Sequence, residues 1–186
     1  MLKLKSITPL GADEARVDRF TGLTITEVTE RALVSLTARN DQADAIRDKA
    51  RGLLGIDLPD IGDSAMGNTH SAFWIGPESW MIDIPYSGNE YLARQVKQAM
   101  GDSASVVEQT DGWCRFDLEG ATMTSVLERL CNADSANLAE GAVTRTQIHH
   151  LGCFLWRQKD GFAVIGPRSS AASLHHALLQ VAQSVC

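Results

Sequence analysis

Apolar and polar residues alternate along two stretches of the chain. From Glu30 to Thr37 the apolar side is Ala32, Val34 and Leu36, and from Gly112 to Glu119 it is Cys114, Phe116 and Leu118. A two-residue period belongs to a strand with one buried face, so each stretch predicts a strand. The period then lengthens. Ala43, Ile46, Ala50, Leu53 and Leu54 recur at three- and four-residue steps, as do Met123, Val126, Leu127 and Leu130, which predicts a helix with one apolar stripe after each strand. Asp41 is placed to cap the first of these helices.

A hairpin follows in both places. Ala72 to Ile75 turns at Gly76-Pro77-Glu78-Ser79 into Trp80 to Ile84, and Cys153 to Trp156 turns through Gln158-Lys159-Asp160-Gly161 into Phe162 to Ile165. A second helix closes each series. Ser87 with Glu90 has capping-box spacing before Leu92, Val96 and Ala99, and Ser169 or Ser170 opens the counterpart lined by Leu174, Leu178 and Val181. A shift of 82 positions places Trp74 on Trp156, Trp80 on Phe162, Pro85 on Pro167, Ser87 on Ser169, Leu92 on Leu174 and Gln98 on Gln180. The order β-α-β-β-α is thus written twice, and a period this long points to two related halves rather than a solenoid. The expected fold class is α+β: two pseudo-repeated halves, with hairpin-paired strands and helices on one face. Residues 1–30 are read as an N-terminal arm, 31–104 as the first half and 105–186 as the second, the halves together forming one compact domain. Gly55 to Asn68 and Asn132 to Gly141 read as loops.

Composition narrows the function classes. The 186 residues are 44% hydrophobic and 22% charged, as in an ordinary globular chain. A net charge of -6 with no basic run argues against a nucleic-acid or anionic-membrane partner. No apolar stretch approaches the roughly 20 residues of a membrane span, and the N-terminus has no apolar centre for a secretion signal, so the cytoplasm is the expected compartment. Cys114, Cys131, Cys153 and Cys186 are scattered and predict reduced, structural thiols.

Candidate chemistry is sparse. The chain has no glycine-rich phosphate loop and no G-x-S-x-G elbow. His149-His150 fall on an expected strand and point to opposite faces; His175-His176 fall near a helix start; His70 stands alone. All five read as surface or interface histidines. Asp83 alternates out of the Trp80, Ile82, Ile84 face toward solvent or a partner, and Glu108, Asp111, Asp117 and Glu119 read as a solvated strand edge. Arg145, Arg157 and Arg168 can grip an anion or form exposed ion pairs. Trp74 and Trp156 are either core or the face on which another protein sits. No catalytic, cofactor-binding or metal-binding residue is assigned.

Three blocks carry a family resemblance: IGPESWMIDIP, EQTDGWCRFDLEGATMTSVLERLC and TRTQIHHLGCFLWRQKDGFAVIGPRSSAASLHHALL. In order and spacing they resemble the gamma subunits of bacterial heterotetrameric sarcosine oxidase, over most of the chain from about Ser35 onward. The resemblance implies a fold like the folate-binding domain of the glycine-cleavage aminomethyltransferase. It also implies a complex that oxidises sarcosine to glycine, produces hydrogen peroxide and passes the one-carbon unit to tetrahydrofolate. In that family FAD, FMN, NAD and folate belong to the alpha and beta subunits and zinc to delta, so no cofactor is expected in this chain. Its expected partners are alpha, beta and delta, chiefly alpha, with the N-terminal arm available to wrap one of them. No residue matches the aminomethyltransferase's catalytic aspartate, Asp111 being the nearest by context. The alternative is a stand-alone folate-binding enzyme or sensor of the same fold, and a third reading is a self-associating scaffold.

Overall fold

The computed structural model describes residues 5–186. Two antiparallel sheets organise the chain, each within its own compact unit. One unit combines the N-terminal residues through Thr29 with Gly112–Glu140 and Thr144–Cys186; the other is Glu30–Asp111 with Gly141–Val143. This is not the linear division expected at residues 30 and 104.

In the Glu30–Asp111 unit the elements are β3 (Arg31–Ala38), α1 (Ala43–Leu54), β4 (Ser64–Met66), β5 (Ser71–Gly76), β6 (Ser79–Pro85), α2 (Leu92–Met100) and β7 (Ala104–Glu108), and the sheet order is β4-β5-β6-β3-β7. Val34, Leu36, Trp80, Ile82 and Ile84 face the stripes of α1 and α2, where Ile46, Ala50, Leu54, Val96 and Met100 close a core. Burying each such side chain contributes about 1.5–3 kcal/mol, which holds two short helices that would be marginal alone.

The other unit contains β1 (Val17–Phe20), β2 (Leu23–Val28), β8 (Trp113–Glu119), α3 (Met123–Leu130), β9 (Val143–Ile148), β10 (Leu151–Arg157), β11 (Gly161–Pro167) and α4 (Ala171–Val185), in sheet order β1-β2-β8-β11-β10-β9. Ile25, Phe116, Leu118, Leu155, Phe162 and Val164 pack against Val126 and Leu127 of α3 and Leu174 and Leu178 of α4. Residues expected as a free arm thus include two strands, β2 lying directly beside β8. The first four residues of that arm lie outside the described residues.

The expected strands, helices and hairpins are all present, and each β-α-β-β-α series carries a further strand, β4 or β9, ahead of its hairpin. The central pairings have one register. Arg31 pairs with Pro85 and Thr37 with Ser79 in β3–β6; Trp113 pairs with Pro167 and Glu119 with Gly161 in β8–β11, each partner 82 positions on. The hairpins differ by one residue, because β5 has an irregularity between Trp74 and Gly76.

Three local expectations change. Asp41 adopts φ 59 and makes no cap; α1 starts after Gln42 without a side-chain cap. Ser87 and Glu90 lie in a turn fastened by Asn89, whose Nδ2 donates to the Pro85 carbonyl (2.8 Å), and α2 begins later, after Tyr91. His149 and His150 both have positive φ (49 and 66) and form the two-residue turn of the β9–β10 hairpin, not part of a strand. Among the described residues no helix is long and apolar enough to cross a membrane.

Candidate functional site

Two strands, β6 and β11, are buried on both faces. Trp80 to Ile84 are all buried in β6, as are Gly161 to Gly166 in β11. Alternation therefore misplaces Asp83. It is 1% exposed, and Arg31 binds it twice: Nε donates to its Oδ1 at 2.6 Å and Nη2 to its backbone carbonyl at 3.2 Å. A buried carboxylate needs such a partner, since desolvating an unpaired charge costs several kcal/mol.

His175 is the second correction. It is buried on α4, with its ring 5.4 Å from Phe116, and its Nε2–H donates to Asp18 Oδ2 on β1 at 2.7 Å. An ionised carboxylate only accepts, so that nitrogen carries the proton. Arg16 also binds Asp18, through Nε (3.1 Å) and Nη2 (3.0 Å). Burial works against the Asp18 charge, but the hydrogen bonds from Arg16 and His175 outweigh it and hold the carboxyl below its ordinary value. Asp18 and His175 are 157 positions apart, so nothing in the local sequence links them. The pair can orient a proton.

The remaining candidates do not converge. His149, His150 and His176 are exposed and His70 is half-buried. Asp117 is held by Arg115, whose Nε and Nη2 donate to Oδ1 (2.7 Å) and Oδ2 (2.8 Å), while the Glu108 carboxylate accepts from the backbone N–H groups of Gln109 and Thr110. Glu119 and Asp111 are exposed at strand and turn ends. Arg157 lies over Phe162 (4.8 Å to the ring centre) with Nη1 on the Gly161 carbonyl, and Arg168 donates to the Ile7 carbonyl. Among the described residues no three His, Cys, Asp or Glu side chains gather to hold a metal ion. All four cysteines are free; burial pushes the Cys114 thiol up to about 11 and Cys153 up to about 12.

The equivalent tryptophans part company. Trp156 is fully buried with Arg115 over its ring (5.5 Å), whereas Trp74 is half-buried and its Nε1 is shielded without a hydrogen-bond partner. Trp80, by contrast, donates from Nε1 to the Pro59 carbonyl (2.8 Å) under the Arg47 guanidinium.

Two surface features complete the picture. A groove of about 660 Å³ opens where the end of α3 meets the edge strand β9, lined by Arg129, Leu130, Cys131, Asn132, Arg145, Thr146, Gln147 and Gly152. Elsewhere, of the eight exposed large apolar side chains among the described residues, six belong to the Glu30–Asp111 unit: Leu53, Ile61, Met66, Tyr86, Tyr91 and Val107.

No protein-family model matches the chain, and no curated protein sequence matches it. Solved structures do. A chain of the heterotetrameric sarcosine oxidase from Corynebacterium sp. U-96, in complex with pyrrole 2-carboxylate, is 20% identical with a TM-score of 0.78, and the match covers 88% of this chain and 85% of that one. Aminomethyltransferase T of the glycine cleavage system from Bartonella henselae is 16% identical with a TM-score of 0.65, the match covering 82% of this chain and 44% of the other. The chain has the fold shared by that sarcosine oxidase chain and part of the aminomethyltransferase.

Proposed function

We propose that this chain is the noncatalytic gamma subunit of a heterotetrameric sarcosine oxidase, supporting oxidative demethylation of sarcosine to glycine with release of hydrogen peroxide and transfer of the one-carbon unit to tetrahydrofolate. The observation that carries this reading is the match to a chain of such an enzyme over nearly the full length of both chains. The three sequence blocks support it independently, and so does the doubled register of β3–β6 and β8–β11, which we read as the trace of two related halves.

The chain's work in that complex is thermodynamic. A folded partner that binds only the native form of a larger subunit stabilises it by mass action and holds it in its working arrangement. FAD, FMN, NAD, tetrahydrofolate and zinc belong to the alpha, beta and delta partners, alpha being the main contact, and the complex works in the cytoplasm. The exposed apolar set of the Glu30–Asp111 unit supplies the contact, its aromatic members Tyr86 and Tyr91 being the residue type that anchors interfaces.

The test is assembly with co-expressed partner chains. Tyr91→Glu combined with Met66→Glu is expected to weaken association at least about tenfold while leaving the isolated chain folded, because both side chains are exposed. Unchanged association would reject this surface. A second reading, direct folate binding, draws on the likeness to the aminomethyltransferase. It requires heat on titrating tetrahydrofolate into the lone chain, and a silent titration removes it.

A further inference from the structure

We propose that the free edge of β9 is a docking site for an extended segment of another protein chain, which adds to the six-stranded sheet as a further strand and carries two adjacent acidic residues. β9 is the last strand of its sheet, so one of its sides has no neighbour. His149 and His150 form a two-residue turn, and in such a hairpin the flanking residues, Ile148 and Leu151, bond to each other. Alternate residues turn their main-chain groups the other way, which aims the N–H and C=O of Arg145 and Gln147 out of the sheet. Val143 has the same parity and behaves accordingly: its N–H leaves the sheet for the Gly62 carbonyl at 2.7 Å. Beyond that contact the edge is open. Among the described residues no main-chain carbonyl accepts from Arg145 or Gln147 across it.

Of the strands that end the two sheets, β9 is the one left unprotected. β1 has four residues, β4 three and β7 five, and Lys97 Nζ already occupies the Ala104 carbonyl at the start of β7 (3.1 Å). β9 has six, four of them β-branched, and none of the lysines or prolines that commonly blunt an edge. The groove of about 660 Å³ opens at this edge, with the end of α3 as its other wall. Donors and acceptors repeating every second residue, about 6.7 Å apart, are what another main chain supplies. The side chains choose the occupant. Arg129 lies on the helix side of the sheet, where Nη1 contacts Ser184 Oγ of α4 (3.5 Å), and Arg145 lies on the opposite side, over the Phe154 ring (5.3 Å). They cannot grip one small ligand together. Successive side chains of a strand point to opposite faces, so two consecutive acidic residues of an added strand place one carboxylate on each side. A second copy of β9 fits worse: self-pairing brings two sets of arginines to a groove lined by no aspartate or glutamate. The edge makes no use of the subunit reading above and stands or falls apart from it.

Calorimetric titration of the full chain with the end-blocked peptide Thr-Val-Glu-Asp-Val-Thr at low ionic strength tests the proposal. The peptide is expected to bind, and its Lys-Lys counterpart is expected to bind at least about tenfold more weakly. Two further peptides carry N-methyl groups on alternate amides, one on each edge. Only one edge meets β9, so one of them is expected to match the parent and the other to bind at least about tenfold more weakly. Gln147→Pro, which deletes an outward N–H that no strand neighbour uses, is expected to weaken the parent about tenfold, and Arg129→Ala and Arg145→Ala about threefold each. No binding of the parent up to about 1 mM, equal affinity for the two methylated peptides or for the lysine peptide, or indifference to both arginines would overturn the assignment. So would a dimer of the chain alone that Gln147→Pro dissociates, since a second copy would then hold the edge. The methylated peptides leave the chain untouched, so the test stands even where Gln147→Pro loses its circular-dichroism signature.

Discussion

At the residue scale, burial decides what each charged group does. Asp83 looks like a solvent-facing position of β6 until the second face of the sheet is found buried as well; its carboxylate is then an internal anchor for Arg31. Removing it leaves Arg31 half-buried and short of its partner, so Asp83→Ala is expected to lower the unfolding free energy by about 2–4 kcal/mol in urea denaturation. Asp83→Leu combined with Arg31→Met is expected to recover most of that loss, because paired apolar replacement leaves no stranded charge. Asp18 gives a pH signature. Its carboxyl sits below its ordinary value in the folded chain, whereas an unfolded aspartate titrates near about 3.9, so its contribution is present above that pH and is lost as pH falls through the lower folded value. Between about pH 5 and about pH 3 the wild type is therefore expected to lose more stability than Asp18→Asn, read as the shift in urea midpoint. Equal shifts would show that the Arg16–Asp18–His175 cluster contributes nothing to acid stability.

At the scale of elements, legibility follows the hydrophobic period. The strands β3 and β8 and helices α1 and α3 were readable because each buries a stripe of regular period, and the hairpins because turn residues separate two apolar runs. The elements that escaped have a physical reason in each case. β4 is three residues long, too short to show a period, and β9 reads Val-Thr-Arg-Thr-Gln-Ile, polar enough to pass for loop. β2 alternates properly, but its third inward position is Glu27, 2% exposed, whose carboxylate accepts the backbone N–H groups of Leu10 (2.9 Å) and Arg16 (3.0 Å). A buried glutamate satisfied by backbone donors looks from sequence like the end of a strand. Capping residues misled in the same way, since serine and aspartate also build turns, as Asp41 and Ser87 do. The β9–β10 turn offers a direct check. A two-residue turn with positive φ at both positions favours Asn-Gly over His-His, so His149→Asn with His150→Gly is expected to stabilise the chain by about 0.5–1 kcal/mol in thermal or urea unfolding. A destabilisation would mean that the histidine side chains contribute more than the strain they impose.

At the scale of the whole molecule, the sequence spoke for the fold more clearly than for the sites. The doubled hairpins around Trp74 and Trp156 foreshadowed a fold that spans 85% of a sarcosine oxidase chain, whereas the Asp18–His175 pair depends on residues brought together by β1 and α4. Proximity of that kind is a product of tertiary packing and leaves no local spacing to find. The account's central claim is that the chain works by assembly with larger, flavin-bearing partners and has no turnover of its own. The measurement that tests it most directly is isolation of the chain from its native cell under nondenaturing conditions, with the mass and visible spectrum of the eluate recorded. The account predicts one assembly in which larger chains carry stoichiometric flavin, while the chain expressed alone is colourless and releases no hydrogen peroxide from sarcosine. Elution without partners, or peroxide formation by the lone chain, would contradict it.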